Sequence, residues 1–424
     1  MKPFLSLVIV LISLTVVAQA PKPVKTITPA AKPEEVGFSS ERLGRIDAML
    51  NDYVKNQQIP GAVVYLVRDG KVAYHKAFGY SDVDKKTALK KDDIFRIASQ
   101  SKAITSLAVM MLWEEGKFLL DEPVSKYIPE FKSPKVLKTF NAADSTYTTE
   151  PAKGEITIRQ LLTHSSGIDY AAIGSTEFKS IYAKAKVPSG IGNDKDVLAD
   201  KIRILGQLPI KHNPGERWTY GLNHDVLGYL IEVWSKMSFD QFLRTRIFEP
   251  LGMNDTYFYL PKDKHARLVA LHHDKEGKVV VMKNTAYDGV NPNYPNLAGT
   301  YFSGGAGLSS TVEDYAKFLQ MFLNKGEYNG VRLLSRKTVE LIMTDQLPAL
   351  DNEYGLAFGL ETLKNDHQSV FSAGTFSWGG AFNTHYWADP KERLIGLIYT
   401  NIFATQHWQI GERFRTLTYS AIAD

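Results

Sequence analysis

Apolar positions follow a two-residue period near both ends of the chain and a helical period in its middle. Residues 61–79 contain two β-branched runs around an Asp-Gly pair, which is typical of a β-hairpin. The strand pattern returns in three later segments, at 354–363, 377–388 and 393–401. We therefore predict an α+β fold in which one antiparallel sheet is assembled from both termini and flanked by helices.

Helical spacing predicts helices before, within and after this sheet. The first spans about 34–54, with Ser39 or Ser40 as its N-cap, and another follows Ser99. Further helices are predicted at 156–163, 196–206, 223–236, 238–249, 311–323 and from 402 onward. The middle of the chain is therefore expected to be mostly helical.

These patterns divide the chain into regions. Residues 35–115 and 300–424 form the predicted sheet region, and residues 116–299 form a mostly helical insertion. We expect a cleft where these two parts meet, because ligand sites commonly form between structural layers. The segment 21–34 contains four prolines and interspersed lysines, and it is predicted to be a solvated linker.

The first 20 residues have the pattern of a secretory signal peptide. Lys2 precedes an apolar run, and Ala18-Gln19-Ala20 has the small-x-small form of a cleavage site. The alternative is a membrane anchor, but a span needs roughly 20 apolar residues and this run is shorter. We therefore expect cleavage, no stable membrane anchor, and secretion to the periplasm or the cell exterior.

The composition of the chain excludes several classes of protein and several kinds of catalytic group. The 424-residue chain is 44% hydrophobic and 23% charged, so it is not a disordered chain and can bury a large core. Its net charge of +4 comes without a basic block, and we expect no nucleic-acid partner. Cysteine is absent, which excludes thiol nucleophiles, iron–sulfur clusters and disulfides. No H-E-x-x-H, Walker A or G-x-G-x-x-G pattern occurs, so we expect no metal or other cofactor.

One segment combines a potential nucleophile with a potential base. Ser99 and Lys102 form the only Ser-x-x-Lys pattern in the chain, where a strand-like run gives way to a helical one. Residues i and i+3 share a helix face, so the serine hydroxyl and the lysine amine can meet at the helix start. Apolar neighbours favour the neutral amine, which can act as a base. The alternative is a serine N-cap followed by an ordinary surface lysine.

Two further segments change the balance between these alternatives. Tyr220 lies in a loop just before a predicted helix, and the run 377–381 begins a strand. Together with Ser99 and Lys102, they resemble the serine β-lactamase, penicillin-binding protein and family VIII esterase superfamily, most closely its class C-like branch. The resemblance covers about residues 35–420 and includes runs at 161–167, 247–256 and 303–311. It implies a β-lactamase/transpeptidase-like fold.

The resemblance also implies roles for individual residues. Ser99 would be the nucleophile that accepts the acyl group, and Lys102 its base or proton relay. Tyr220 matches the tyrosine of the family's second motif and, together with Lys102, would take the serine proton and return it to the leaving group. The backbone N–H groups of Ser99 and Ala381 would form the oxyanion hole. His164, in a stretch typical of the family, is expected to hold its loop by hydrogen bonds.

Two motifs depart from those of typical β-lactamases. The second usually reads Tyr-x-Asn, but here Leu222 takes the third position and Asn223 follows one place later. The third usually reads Lys-Thr-Gly, but here it is Trp378-Gly379-Gly380. All five residues are predicted to contact substrate. The lysine and threonine that would grip a substrate carboxylate are missing, which is similar to the esterase branch of the superfamily.

These features predict a secreted serine hydrolase that cleaves small carboxylic esters or amides through an acyl-enzyme. One alternative is a class C-like β-lactamase or a D-Ala-D-Ala carboxypeptidase, acting on β-lactams or cell-wall peptides. Export favours that alternative, and the absent Lys-Thr-Gly disfavours it. Another alternative is a catalytically silent binding protein on the same fold, which the intact Ser99, Lys102 and Tyr220 disfavour.

Overall fold

The computed structural model describes residues 24–191, 195–283, 285, 289–350 and 352–424. The predicted signal peptide, residues 1–20, lies outside the described residues and stays a prediction. Within the described ranges, no helix is long and apolar enough to cross a membrane.

The described chain contains runs of consecutive strands near both ends and a run of consecutive helices in its middle, over residues 158–251. The helices are α1 (Ser40–Lys55), α2 (Ser101–Glu114), α3 (Ile158–Leu162), α4 (Thr176–Lys184), α5 (Leu198–Gly206), α6 (Asn223–Ser235), α7 (Phe239–Leu243), α8 (Glu249–Leu251), α9 (Val312–Leu323), α10 (Arg336–Ile342) and α11 (Ile410–Ser420). The strands are β1 (Thr28–Pro29), β2 (Gly61–Arg68), β3 (Lys71–Asp82), β4 (Thr87–Ala88), β5 (Phe95–Arg96), β6 (Lys135–Asn141), β7 (Thr146–Pro151), β8 (His272–Lys275), β9 (Lys278–Val281), β10 (Ser309–Ser310), β11 (Glu327–Tyr328), β12 (Val331–Arg332), β13 (Gly359–Leu360), β14 (Phe376–Gly380), β15 (Thr384–Asp389), β16 (Leu394–Tyr399) and β17 (Ile402–Phe403).

One large sheet contains strands from both ends of the chain. Its order is β1-β3-β2-β16-β15-β14-β13, with β4 also paired to β3. In its centre, β2 pairs antiparallel with β16, so that Val64 lies opposite Ile398. All of these pairs are antiparallel except the short β1–β3 pair. The predicted α+β fold, with a sheet assembled from both termini, is confirmed.

Part of the predicted linker is attached to the edge of this sheet. Thr28 of β1 lies opposite Lys71 of β3, and the backbone N–H of Ile27 donates a hydrogen bond of 3.0 Å to the Tyr328 hydroxyl. Residues 27–29 are therefore not a free linker, because they pair with β3 and with Tyr328 of β11. The boundaries predicted for the sheet region and the insertion stay predictions.

The sheet is covered by helices on both faces. Helices α1 and α11 pack on one face, and α2, α6 and α9 belong to the larger core on the other. Every residue of α2 from Ser101 to Leu112 is buried. A helix that is apolar on all sides is stable only when it is enclosed, which explains the long apolar run in its sequence. As a consequence, the first turn of α2 places Lys102 inside the protein.

Two predicted helix starts are wrong. The first helix starts at Ser40 rather than near residue 34, because Gly37 adopts a left-handed φ of +74° and Ser39 caps the helix. The last helix starts at Ile410, since residues 402–403 pair with β8 instead. The hairpin β6–β7 lies in the region predicted to be mostly helical. Its second strand is rich in threonine, a residue that favours strands.

Candidate active site

Ser99 lies in a tight turn that leads directly into the buried helix α2. The turn is one 3-10 turn from Ala98 to Gln100, and Ala98 has a φ of +45°, which is uncommon for a residue with a side chain. Buried contacts hold it in place: the hydroxyls of Tyr399 and Tyr315 donate to the side-chain and backbone oxygens of Gln100, at 2.6 and 2.9 Å. The surrounding structure therefore holds the strained turn in one conformation. It fixes the position of Ser99, which is partly exposed.

Lys102 is only 1% exposed and its amine faces three oxygen atoms. Nζ donates to the Gly305 carbonyl at 2.7 Å, to the Tyr170 hydroxyl at 3.0 Å and to Ser99 Oγ at 3.4 Å. These three oxygen atoms fix the position of the amine beside the serine hydroxyl. The contact with Ser99 is the longest, as is common for catalytic hydrogen bonds in the absence of substrate.

Tyr220 completes the group of residues that the motifs select. Nζ of Lys102 lies 4.6 Å from the centre of the Tyr220 ring, within the range of a cation–π interaction. The ring is flanked by Trp218, His164 and Trp378, with centroids at 5.8, 4.8 and 6.0 Å. The structure therefore brings Ser99, Lys102 and Tyr220 together.

Tyr170 is a site residue that lies outside the sequence motifs. Its hydroxyl accepts the hydrogen bond from Lys102, and its ring lies 5.4 Å from that of Tyr220. Asp169, buried and 3.0 Å from the Lys211 amine, accepts a hydrogen bond from the Tyr170 backbone at 2.8 Å. The only sequence signal was its position just after the family-typical run that ends at residue 167.

Asp225 supplies a buried carboxyl group beside the same amine. It lies in the first turn of α6, and the Tyr301 hydroxyl donates to its Oδ1 at 3.5 Å. Burial raises the pKa of Asp225 to about 6, although the positive charge of Lys102 acts in the opposite direction. Gly305 lets both groups approach, since a methyl group there would lie 2.9 Å from Oδ2 of Asp225 and 3.4 Å from Nζ of Lys102.

A buried polar network supports the ring of Tyr220 from behind. Nδ1 of His164 lies 2.9 Å from the Asn223 amide nitrogen, and the Asn223 amide oxygen accepts from Ser166. Next to it, Nε2 of His224 lies 3.1 Å from the Ser106 hydroxyl. Burial, with a smaller contribution from the charge of Lys102, lowers the pKa of both histidines well below 6.5. Both are therefore neutral near pH 7, and His164 holds its loop as expected.

The predicted substrate contacts of Leu222 and Asn223 are not what the structure shows. Asn223 is fully buried and its amide is used in the loop contacts with His164 and Ser166. Leu222 is 1% exposed, and its side chain packs beside Gly190. The one-residue shift from the usual Tyr-x-Asn spacing turns the amide inward, because successive residues at a helix start point in different directions.

Strand β14 packs directly against the nucleophile turn. A methyl group on Gly380 would overlap the carbonyl oxygen of Ile97, which precedes the turn. Glycine is therefore required for this close approach. Trp378 faces the site, with its ring centroid 6.0 Å from that of Tyr220 and 5.4 Å from that of Tyr354. The partly exposed Ala381 follows Gly380 directly.

The site therefore combines a serine, an amine, two phenols and a buried carboxyl with an aromatic wall. Among the described residues, no group of three or more His, Cys, Asp or Glu side chains is placed to hold a metal ion. The arrangement suits transfer of an acyl group through the serine, because a nucleophile, a proton-accepting group and a close backbone strand lie within one small volume.

Comparison with known proteins agrees with this arrangement. The sequence model of the Beta-lactamase family matches residues 46–419. Among curated proteins, the chain is 29% identical to "Esterase EstB" of Burkholderia gladioli over 378 residues, which cover 84% of this chain and 90% of that protein.

Two solved structures show the same fold. The structure of "Simvastatin Synthase (LovD)" from Aspergillus terreus has a TM-score of 0.75 and 26% identity, covering 90% of this chain and 99% of that one. The structure of "EstCE1, a hydrolase with promiscuous acyltransferase activity" has a TM-score of 0.77 and 23% identity, covering 89% of this chain and 98% of that one. The expected β-lactamase/transpeptidase-like fold is confirmed.

Proposed function

Because the chain belongs to the Beta-lactamase family, we propose that it is a serine esterase that cleaves small neutral carboxylic esters through an acyl-enzyme on Ser99. That it is a serine hydrolase follows from the family and from its similarity to an esterase. This contradicts the alternative of a catalytically silent binding protein. The substrate class and the residue roles are the proposed part.

The proposal rests on the contact between Lys102 Nζ and Ser99 Oγ. This contact is 3.4 Å long and partly buried. Ser99 Oγ attacks the ester carbonyl carbon, and its proton passes to the pair formed by the Lys102 amine and Tyr220. The bond from the carbonyl carbon to the alcohol oxygen then breaks. The same proton reaches that oxygen, and the alcohol leaves.

The negative charge that develops on the carbonyl oxygen needs hydrogen-bond donors. The backbone N–H groups of Ser99 and Ala381 are the proposed donors, and the close packing of Gly380 on the turn supports this assignment. Loss of one donor in such a site typically costs about 3 kcal/mol of transition-state stabilisation.

Water then completes the reaction. It attacks the acyl carbon, loses a proton to the same pair of groups, and the bond to Ser99 Oγ breaks as that oxygen recovers a proton. The products are the free enzyme and a carboxylic acid. An alcohol that reaches the acyl-enzyme in place of water would receive the acyl group instead.

The wall beside the nucleophile supports an uncharged substrate. Trp378 and Gly379 occupy the positions where a lysine and a threonine would grip a carboxylate, and Trp378 packs among aromatic rings. A β-lactam or a cell-wall peptide carries a carboxylate that would find no cation at these two positions. The related protein named as an esterase supports the same choice. We also propose export, on the pattern of residues 1–20.

A direct comparison of substrates tests the proposal. The purified chain without residues 1–20 is assayed with p-nitrophenyl acetate and with a chromogenic cephalosporin. We expect kcat/KM to be at least about tenfold higher for the ester, and Ser99→Ala to abolish both activities. A kcat/KM about tenfold higher for the cephalosporin would reject the ester preference. Unchanged turnover in Ser99→Ala would reject the role of Ser99.

A further inference from the structure

Trp408 is a large apolar side chain that is left 48% exposed beside strand β14. It lies between β17 and α11, and its ring packs edge-on against that of His385, with centroids 4.7 Å apart. His385 is itself fixed by a hydrogen bond of 2.7 Å between Nε2 and Asn383 Oδ1. The indole is therefore supported on one side and open to solvent on the other.

The same indole lies on the side of Gly379 to which a Cβ atom would point. A methyl group on Gly379 would lie 3.4 Å from Cζ2 of Trp408, which is van der Waals contact. In the sheet, Gly379 lies opposite His385, the residue on which Trp408 rests. The next residue, Gly380, touches the turn that carries Ser99. Trp408 is thus one strand position away from the contact between β14 and the nucleophile turn.

The edge of β14 at this point is open. Strand β13 pairs only with Phe376 and Ser377, so in the described part of the chain no strand pairs with Trp378–Gly380 on that side. A substrate that reaches Ser99 can therefore lie along this backbone. Because successive residues of a strand face opposite sides, Trp378 and the indole of Trp408 lie on the two sides of the open edge.

The surface around Trp408 favours an uncharged ring. Burial, together with the charge of Arg415, lowers the pKa of His385 to about 4, so this neighbour is neutral near pH 7. Gly379 adds no side chain. The exposed indole face beside these two residues prefers flat apolar groups and gains from stacked or edge-on contact with them.

We propose that Trp408 is a specificity-determining residue, whose indole binds an uncharged planar ring of the ester substrate at the open edge of β14. This inference rests on the proposed esterase function. It adds a residue outside the three motifs, and it predicts that ring-bearing esters are preferred over small aliphatic ones through tighter binding.

Three esters and three variants test this role. Ethyl acetate carries no ring, phenyl acetate carries one in the alcohol part, and ethyl phenylacetate carries one in the acyl part. In Trp408→Ala we expect KM to rise about tenfold for at least one ring-bearing ester, as for the loss of one aromatic contact. For ethyl acetate, KM and kcat should stay within about twofold. Trp408→Phe should restore most of the loss, and Tyr147→Ala, which removes an exposed aromatic ring from the β6–β7 hairpin, should change nothing.

The outcomes separate this inference from the proposed function. The ester whose KM responds identifies the part of the substrate that carries the ring. If the wild type hydrolyses all three esters and Trp408→Ala leaves every KM within about twofold, the role of Trp408 is rejected and the esterase proposal stands. An equal rise in KM for all three esters also rejects it, because a merely structural role has that effect. If Ser99→Ala hydrolyses the esters as well as the wild type, both proposals fail.

Discussion

Nζ of Lys102 donates a hydrogen bond to the hydroxyl of Tyr170 at 3.0 Å. It approaches the second tyrosine of the site, Tyr220, from the face of the ring instead. The amine thus has one phenol as a hydrogen-bond partner and another as an aromatic neighbour. A proton that leaves Ser99 can reach Lys102, whose orientation depends on the Tyr170 contact.

Removal of the Tyr170 hydroxyl should therefore slow acylation. We expect Tyr170→Phe to lower kcat by about 10- to 100-fold with little change in KM, because the amine loses an oriented partner and not a substrate contact. Steady-state kinetics with p-nitrophenyl acetate measure this. Tyr182→Phe is the matched control, since it removes another buried hydroxyl, one bonded to the Asp169 backbone rather than to Lys102. Equal losses in both variants would contradict the prediction.

Replacement of Lys102 by a permanently charged residue should greatly lower the rate of acylation. Lys102→Arg keeps a positive charge, but a guanidinium group does not lose its proton in proteins and cannot accept the one from Ser99. We expect the rate of acylation to fall at least 100-fold, measured as the burst of p-nitrophenol in a stopped-flow experiment. The thermal unfolding midpoint serves as a control for folding, because the larger group must fit a buried space. Activity above a tenth of the original would reject the base role.

Gly380 should be essential for the distance between β14 and the nucleophile turn. In Gly380→Ala the new methyl group would overlap the carbonyl oxygen of Ile97, so the strand must move away from the turn. Displacement of an oxyanion donor then lowers kcat by about 100-fold. Gly44→Ala is the matched control, because a methyl group at this position in α1 meets no atom within 4 Å. A fully active Gly380→Ala enzyme would show that the strand is not held by this contact.

The sequence predicted those parts of the site that are encoded locally. The spacing of Ser99 and Lys102 implies a shared helix face, and both the β2–β3 hairpin and α9 lie where their patterns place them. Tyr170 and Asp225 were missed because only the tertiary fold brings them to the Lys102 amine. The predicted substrate contact of Asn223 was wrong for a related reason. The direction of its side chain depends on where α6 begins, and a motif does not fix that start to within one residue.

Asp225 should produce an ionisation in the pH profile. Its pKa is raised to about 6 by burial, so the carboxyl group gains its negative charge as the pH rises through this value. That charge stabilises the cation formed when Lys102 takes the serine proton. We expect kcat/KM of the wild type to rise through a step near pH 6, and Asp225→Asn to lack this step and to be slower above it. A step that persists near pH 6 in the variant would assign it to another group.

The neutral histidines behind Tyr220 should make folding stability fall in acid. The pKa of His224 is lowered well below 6.5 in the folded protein, while in the unfolded chain it has its ordinary value. Between these values the unfolded chain binds one more proton, so the free energy of unfolding decreases as the pH falls below 6.5. The slope is about 1.4 kcal/mol per pH unit for each such histidine.

Denaturant unfolding at pH 7.5 and pH 5 measures this slope. His224→Gln keeps a polar partner for Ser106 and does not titrate, so its pH dependence should be weaker by about that slope. An unchanged pH dependence would mean that His224 is protonated in the folded state or that the fold opens around it.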